Sequence, residues 1–291
     1  MQKLLVTGAS GFLGWNLCQL AQQQWEVYGT YFSKAVEIPG VKLIKADIKD
    51  FQEIKHLFAE IKPAAVIHTA AQSSPNYCQL HPDECYPLNV TASWHIAGLC
   101  ADYSIPCVFT STDQVFNGVN PPYRETDPVS PISHYGEQKV KAEQGMLERY
   151  PKTAACRMPL MFGIAPAGAT SFIQPFIQIL RAGKELSLFT DQFRTPASAK
   201  TAASGLLLAL EKVAGILHLG GKERVSRYEF GRLMAEVFEL PQDKLTACLQ
   251  EDVPMPAPRP KDVSLNSEKA YALGYQPLSL RQELASLRGF L

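Results

Sequence analysis

Three glycines near the start of the chain restrict its fold more than any other feature of the sequence. Gly8, Gly11 and Gly14 directly follow the strand-like residues 3–6 and precede an amphipathic stretch. Glycines at such a turn let backbone N–H groups reach a pyrophosphate, whose charge is stabilised by the helix N-terminus. Many tight connections contain a glycine, but at the start of a βαβ series this turn predicts a dinucleotide-binding loop. The predicted loop residues are Gly8, Ser10, Gly11, Phe12, Leu13 and Gly14.

The first half of the chain alternates short apolar runs with longer amphipathic stretches, which is typical of repeated βαβ units. Strands are predicted at residues 4–7, 26–30, 41–45, 65–69, 106–111 and 154–157. Helices are predicted at residues 13–24, 51–61, 90–103 and 132–150. The predicted fold class is therefore α/β, with a Rossmann-type doubly wound parallel sheet.

The pattern changes after residue 162, where glycines and prolines interrupt it. We predict a helix at 172–181, a strand at 215–219, a helix at 228–239 and a proline-rich loop at 254–260. The sequence thus predicts an NAD(P)-binding Rossmann core over residues 1–162 and a smaller, mainly substrate-binding C-terminal lobe over residues 163–291. Segments near residues 213–221 are expected to return to the core.

Charge and hydropathy exclude two classes of partner. The 28 basic and 28 acidic residues balance, so the basic surface of a nucleic-acid-binding protein is not expected. No apolar run approaches the roughly 18 to 20 residues of a membrane span, and a strand begins too early to leave room for a signal peptide. We therefore expect a cytoplasmic protein that acts on a small molecule.

The seven cysteines are odd in number and scattered among apolar neighbours, which favours reduced, buried thiols. Cys78, His81 and Cys85 would place three ligand atoms on one helical face. No second cluster supplies a fourth ligand at the spacing of a structural zinc site. We therefore expect no metal.

The residues after the second strand bear on the choice of cofactor. An NAD-specific site carries a carboxylate roughly 20 residues beyond the glycines, where it accepts from the ribose 2′-OH. Residues 29–34 contain no acid, whereas Ser33 and Lys34 would donate to a 2′-phosphate. This favours NADP(H), with NAD(H) as the alternative if Lys34 is only a solvated surface charge.

Tyr135 and Lys139 lie four residues apart in a predicted helix, so their side chains share one face. A nearby ammonium would stabilise the phenolate and lower a tyrosine pKa that is ordinarily about 10. Thr112 ends the preceding strand at the ligand-binding edge of the sheet, where its hydroxyl would hydrogen-bond a carbonyl oxygen. The alternative is that Thr112 or Asp113 only caps the following turn. We predict that Thr112, Tyr135 and Lys139 are catalytic.

These motifs together resemble the extended short-chain dehydrogenases/reductases, and within them the sugar nucleotide-binding, dTDP-4-dehydrorhamnose reductase-like proteins. The similarity continues in order through nearly the whole chain, including residues 46–48, 68–71, 88–90, 218–221, 226–230 and 259–265. It implies that Asp47 and Ile48 flank the adenine and that Ala70 and Ala71 line the cofactor channel. It also adds Asn89 to the cofactor-binding residues, together with Tyr135 and Lys139.

The resemblance implies a reductase in which the nicotinamide gives hydride to a sugar ketone and Tyr135 supplies the proton. Thr112 and Asp113 would contact the substrate, and Arg194 and Arg259 would bind its nucleotide diphosphate. Either arginine could equally form a structural ion pair. The resemblance also implies a homodimer.

Residues 157–163 differ from those of the rhamnose-forming reductases, because the tryptophan expected to pack on the sugar is absent and Leu160 offers only an apolar contact. This segment resembles the regulatory β subunit of methionine adenosyltransferase, so a non-catalytic NAD(P)-binding subunit is one alternative. A sugar-nucleotide epimerase or dehydratase is another. Dehydratases usually carry an acidic pair after the strand-end hydroxyl, whereas here Gln114 follows Asp113.

Overall fold

The computed structural model describes residues 1–291, which form thirteen strands and eleven α-helices. The strands are β1 Lys3–Thr7, β2 Glu26–Tyr31, β3 Lys42–Lys45, β4 Ala65–His68, β5 Cys107–Thr112, β6 Ala154–Met158, β7 Met161–Phe162, β8 Leu186–Phe189, β9 Phe193–Arg194, β10 Ala197–Ser198, β11 Gly215–His218, β12 Val225–Ser226 and β13 Leu245–Cys248. The helices are α1 Phe12–Ala21, α2 Phe51–Ile61, α3 Pro75–Leu80, α4 Pro82–Tyr86, α5 Ala92–Asp102, α6 His134–Arg149, α7 Ile173–Arg181, α8 Ala199–Lys212, α9 Arg227–Val237, α10 Glu268–Leu273 and α11 Leu280–Ala285.

Seven strands form one parallel sheet in the order β3-β2-β1-β4-β5-β6-β11. The strand order reverses at β1, so a crevice opens between the carboxyl ends of β1 and β4, the position at which open α/β sheets bind ligands. The Rossmann-type sheet predicted from the sequence is confirmed. The predicted strand bounds agree with the observed ones to within one residue, because most of these strands are buried and locally apolar.

The central strands are buried on both faces. Leu4 and Val6 of β1 face one apolar cluster, which includes α1 and α8, and Leu5 faces the other, which includes α2, α5 and α6. This division follows from the two-residue period of a strand. Helix α8, which the sequence analysis did not identify, packs along α1 and contributes Leu206 to the first cluster.

Helix bounds differ from the predictions where a capping residue or a proline intervenes. Helix α6 begins at His134 because the Ser133 side chain accepts from Gly136 N and caps it. The helix predicted at 90–103 is preceded by a π-helical turn at Pro87–Thr91 and is regular over α5. The short helices α3 and α4, each starting at a proline, were also not predicted.

A separate apolar cluster lies in the second half of the chain, where α7, β8, α9, β13 and α11 pack together around Phe230. Residues 254–260 form a loop, as predicted. Strand β11 pairs with β6 and so extends the main sheet. No helix in the chain has both the length and the apolar character needed to cross a membrane.

A buried ion pair fixes α6 against the sheet. The Arg157 guanidinium on β6 donates from Nε and Nη2 to the two carboxylate oxygens of Glu143 at 3.0 and 2.9 Å, and both side chains are buried. Such a bidentate pair is geometrically specific. Removing one partner leaves an uncompensated buried charge.

We expect Glu143→Gln to lower the free energy of unfolding by about 3 to 5 kcal/mol, because the Arg157 charge then has no anion beside it. Urea unfolding followed by circular dichroism measures the change. Glu148→Gln, an exposed acid on the same helix, is the control and should change stability by less than about 0.5 kcal/mol. Equal stability of the two variants would contradict the prediction.

Candidate active site

The main cavity lies at the carboxyl edge of the sheet and has a volume of about 570 Å³, a size common among small-molecule sites. It extends from the glycine turn to the first turns of α6. Twelve of the residues predicted to bind the cofactor line it: Gly8, Ser10, Gly11, Phe12, Leu13, Gly14, Asp47, Ile48, Ala70, Ala71, Tyr135 and Lys139. The structure therefore brings these residues to one continuous surface.

The glycine turn has no space for side chains. Gly8 has a φ of +74°, and a Cβ there would lie 2.7 Å from the Ala70 Cα atom. A Cβ on Gly14 would collide with the Gly8 carbonyl oxygen. Helix α1 then begins after Gly11 with no side-chain cap, so its first N–H groups are free to bind an anion. The turn fits the pyrophosphate of a dinucleotide.

A second, smaller cavity of about 290 Å³ adjoins the glycine turn. Ser33 and Lys34 line it together with Ser10, and the loop at Ala167–Thr170 forms its other side. The hydroxyls and the ammonium are donors that suit a phosphate group. Ser33 and Lys34 thus lie beside the turn but outside the main cavity.

Helix α6 approaches the end of β5 closely because Gly136 has no side chain. A Cβ at Gly136 would collide with the Gln114 carbonyl oxygen, in the turn that follows β5. Lys139 lies one turn further along, where its Nζ donates to the Thr110 carbonyl oxygen at 2.9 Å and lies 4.6 Å from the centre of the Phe109 ring. No local sequence pattern predicts the role of Gly136, because this role depends on a contact between distant segments of the chain.

The electrostatics of Tyr135 differ from the sequence-based expectation. Burial raises the pKa of Tyr135 above its usual value, the Asp113 carboxylate and Cys78 raise it further, and a hydrogen bond with Thr112 acts in the opposite direction. The Lys139 ammonium bonds the Thr110 carbonyl, and burial lowers its own pKa to about 8. The phenol is therefore protonated at neutral pH, the form that a proton donor needs.

Thr112 lies at the end of β5, just outside the cavity lining. Its hydroxyl donates to Asp113 Oδ1 at 3.2 Å and accepts from Gln114 N at 3.2 Å. It therefore caps the turn, as the alternative interpretation holds, and it also lies close enough to Tyr135 to lower the pKa of the phenol. The neighbouring Ser111 lines the cavity, and its buried hydroxyl has no hydrogen-bond partner.

Asp113 and Arg194 are paired with each other. Arg194 Nε lies 3.5 Å from Asp113 Oδ2, and both side chains are buried. Burial raises the pKa of Asp113 to about 6, while Arg194 lowers it. This corresponds to the structural ion pair that the sequence left open for Arg194, and neither residue lines the main cavity. Arg259 is not part of this pair and donates to Asn76 Oδ1 at 2.8 Å.

Asn89 lies behind the cavity wall. Its Oδ1 accepts from Gln72 N at 2.8 Å, and its Nδ2 donates to Gln72 O at 3.1 Å and to Gln138 Oε1 at 2.9 Å. The amide is fully used within the protein, and Gln72 is the residue that lines the cavity. Asn89 therefore contacts the cofactor channel through the backbone of Gln72.

Further lining residues come from the segments that follow the sheet strands. They include Tyr31, Phe32, Lys49, Thr69, Ser73, Tyr77, Glu84, Leu88, Met158 and Met161. Most of them lie at or soon after the carboxyl end of a sheet strand, and Tyr77 and Glu84 belong to the short helices α3 and α4. At the site of the expected tryptophan, Met158 and Met161 reach the cavity and Leu160 does not.

No group of His, Cys, Asp and Glu side chains is arranged to hold a metal ion. Cys78 and Cys85 pack against Tyr135, whereas His81 pairs with Glu84 at 3.3 Å. All seven cysteines are free thiols, and only Cys248 is not buried. The cluster of Cys78 and Cys85 is thus part of the packing behind the tyrosine.

The parallel sheet and the cavity at its switch point define the Rossmann class of α/β proteins. More particularly, residues 1–288 match the family model described as the RmlD substrate binding domain, and the chain belongs to this family. The resemblance to dTDP-4-dehydrorhamnose reductase-like proteins is confirmed.

Named relatives include two kinds of protein. Methionine adenosyltransferase 2 subunit beta of Rattus norvegicus is 30% identical over 94% of this chain and 83% of its own length. The probable low-salt glycan biosynthesis reductase Agl14 of Haloferax volcanii is 31% identical over 97% of this chain and 96% of its own length. A dTDP-4-dehydrorhamnose reductase of Bacillus anthracis, solved with NADP, has a TM-score of 0.88 at 23% identity and covers 99% of both chains.

We expect Gly14→Ala to weaken NADPH binding at least about tenfold, because the new methyl group displaces the Gly8 carbonyl and opens the phosphate loop. Fluorescence titration with NADPH measures the affinity. Gly98→Ala is the matched control, since a Cβ there meets no atom within 4 Å. Unchanged affinity in Gly14→Ala would show that the turn does not hold the pyrophosphate.

Proposed function

We propose that this protein is an NADP(H)-dependent reductase of a keto sugar nucleotide. The observation that carries the proposal is the protonated Tyr135 phenol, which lines the same cavity as the glycine turn and whose pKa is affected by the nearby Thr112. The Haloferax volcanii relative is named as a probable reductase, and the Bacillus anthracis neighbour binds NADP. The class of activity is thus an oxidoreductase, and the finer assignment is the proposal.

The cofactor would be held by residues of both cavities. The free N–H groups after Gly11 would bind the pyrophosphate, Asp47 and Ile48 would flank the adenine, and Ser33 with Lys34 would bind a 2′-phosphate. When bound, the nicotinamide supplies a hydride. Ala70 and Ala71 are small enough to leave the channel open beside Gly8.

Side chains of this protein would supply the proton and stabilise the phenolate that its transfer leaves. Tyr135 would donate its phenolic proton to the oxygen of the reduced carbonyl, because burial keeps the phenol protonated. Thr112 would hydrogen-bond the same oxygen. The Lys139 ammonium, one turn away on α6, would stabilise the phenolate that remains after the transfer. Ser111, with its free hydroxyl, would bind a polar group of the ligand at the cavity wall.

We expect Tyr135→Phe to lower kcat by about 100- to 10,000-fold in NADPH oxidation with 4-keto sugar nucleotides, because it removes the proton donor. NADPH affinity should change little, since the phenol is not predicted to hold the phosphates. Tyr103→Phe, an exposed tyrosine, is the control. Net NADPH consumption distinguishes a reductase from an epimerase or dehydratase, which would recycle the cofactor.

We expect Lys34→Ala to reduce the preference for NADP over NAD by about tenfold or more, because a donor to the 2′-phosphate is lost. The ratio of the two dissociation constants measures this preference. Lys55→Ala removes an exposed lysine of α2 and should leave the ratio unchanged. An unaltered ratio in Lys34→Ala would identify Lys34 as a solvated surface charge.

A second candidate function is that of a non-catalytic NAD(P)-binding regulatory subunit. It is favoured by the 30% identity to methionine adenosyltransferase 2 subunit beta and by methionines in place of the expected tryptophan. Sedimentation of the protein with a methionine adenosyltransferase catalytic subunit tests it. A stable complex, together with no turnover of any keto sugar nucleotide, would replace the first proposal by the second.

A further inference from the structure

Two cysteine thiols lie against the tyrosine of the candidate active site. Cys78 in α3 and Cys85 in α4 form one buried cluster with Tyr135. The two short helices meet at His81, whose backbone is not helical (φ −132°, ψ 56°), and both pack against α6. The break between the helices brings the two cysteines together although other residues separate them in the sequence.

The two cysteine side chains also interact with each other. Burial, together with a hydrogen bond to the Cys85 side chain, raises the pKa of Cys78 to about 12. Cys78 Sγ donates to the Gln72 carbonyl oxygen at 3.3 Å. Cys78 is therefore a neutral thiol at neutral pH, with a second sulfur atom beside it.

Cys85 is the member of this pair that a small molecule can reach. Cys85 belongs to the lining of the main cavity, whereas Cys78 does not. Only 1% of the Cys85 surface is exposed, so the opening onto its sulfur is narrow. Such an opening admits a molecule of the size of hydrogen peroxide and excludes a bulky oxidant such as glutathione disulfide. Redox-sensitive cysteines combine a reachable thiol with a neighbouring thiol that resolves the first oxidation product.

A second pair of thiols in the same protein lacks this access. Cys100 and Cys107 are buried in the apolar cluster that includes α2, α5 and α6. Burial and a hydrogen bond with Cys107 raise the pKa of Cys100. Neither of these cysteines lines the main cavity or the smaller one. They provide an internal control, because they share the burial and the proximity of Cys78 and Cys85 but not the cavity.

We propose that Cys78 and Cys85 form an oxidation site that opens into the main cavity, reacts with a small peroxide and becomes a disulfide beside Tyr135. With hydrogen peroxide, the Cys85 thiolate attacks one oxygen, the O–O bond breaks, and a sulfenic acid and one water form. The Cys78 sulfur then attacks the Cys85 sulfur, so that an S–S bond forms and a second water leaves. Two thiols are oxidised, one peroxide is reduced, and the two thiol protons end in the two waters.

A bound dinucleotide would control this oxidation. Cys85 lines the same cavity as the glycine turn, so a dinucleotide that fills the cavity would cover the sulfur. The disulfide is therefore expected to form in the cofactor-free protein and to be suppressed when the cofactor is bound. This step rests on the proposed cofactor and not on the proposed reductase activity.

The disulfide would also alter the packing behind Tyr135. The two sulfur atoms of a disulfide are about 2.05 Å apart, much closer than two thiols in contact. Its formation would draw α3 and α4 together and remove the S–H group that Cys78 donates to Gln72. Because both cysteines pack against Tyr135, we expect the oxidised protein to have a lower kcat.

The test treats the whole protein with hydrogen peroxide, blocks the remaining thiols with iodoacetamide in denaturant, and cleaves after glutamate without reduction. Cleavage after Glu84 separates the pair, because Cys78 is the only cysteine of fragment 61–84 and Cys85 begins fragment 85–125. Mass spectrometry should find these two fragments joined by a disulfide. NADP at about ten times its dissociation constant should slow the joining about tenfold, since only the unliganded protein reacts.

Variants and a second oxidant identify the sulfur atoms involved. Cys85→Ser should abolish the joining, and Cys248→Ser, which changes a thiol outside the pair, should leave it unaltered. If Cys85→Ser fails to fold, Cys85→Ala replaces it, and the NADP dependence of the unaltered protein tests the proposal without any variant. Glutathione disulfide should join the fragments at least about ten times more slowly than peroxide, because the opening onto Cys85 is narrow.

Several results would overturn the proposal. They are thiols that stay reduced in the peroxide-treated, cofactor-free protein, and joining that proceeds equally fast with and without bound NADP. Joining in Cys85→Ser would assign the disulfide to another cysteine. Loss of two hydrogen atoms within fragment 85–125, at the same rate as the joining, would show that Cys100 and Cys107 react without access to the cavity.

Turnover distinguishes this proposal from the proposed function. The joined protein should lose activity with keto sugar nucleotides at least about tenfold and regain it with dithiothreitol, because the disulfide is reversible. Unchanged turnover of the joined protein would refute the effect on Tyr135. An absence of turnover in the reduced protein, together with joining that NADP suppresses, would refute the proposed reductase and leave the oxidation site supported.

Discussion

The attachment of α6 to the sheet is the interaction on which the candidate active site depends. Lys139 Nζ donates to the Thr110 carbonyl oxygen near the end of β5. Glu143 on the same helix pairs with Arg157 on β6. These contacts fix the rotation of α6 about its axis and its distance from the sheet. Gly136 then allows its first turn to lie directly on the segment that follows β5. Together these three contacts hold the first turns of α6, which include Tyr135, beside the end of β5.

The groups that would bind an anion and the group that would donate a proton lie in different parts of the candidate active site. The anion-binding glycine turn lies at one end of the main cavity and is built from backbone N–H groups. Arg194, which does not line this cavity, is buried and paired with Asp113. Tyr135 lines the same cavity and packs against Cys78 and Cys85, and burial keeps its phenol protonated. A protonated phenol in the cavity that contains the anion-binding turn suits a ligand that combines phosphate groups with a reacting carbonyl.

The features that the sequence predicted well are local. The glycine turn and the buried strands are each encoded by a few consecutive residues, so their positions are accurate to about a residue. The features it missed depend on contacts between distant segments. The Asp113–Arg194 pair and the use of the Asn89 amide to hold Gln72 each require the folded chain. Helix α8 was missed because its apolar face carries mostly alanines, which have little hydrophobic signal.

Only one thiol of the folded protein is accessible to chemical labelling. Six of the seven cysteines are buried, and Cys248 alone, at the end of β13, is partly open to solvent. A fluorescent maleimide added to the native protein would therefore react first at the edge of the C-terminal cluster. Strand β13 leads into the segment whose Gln250 side chain bonds Gln192 beside β9. A dye at this position would report changes around Arg194 while leaving the tyrosine and the glycine turn unlabelled.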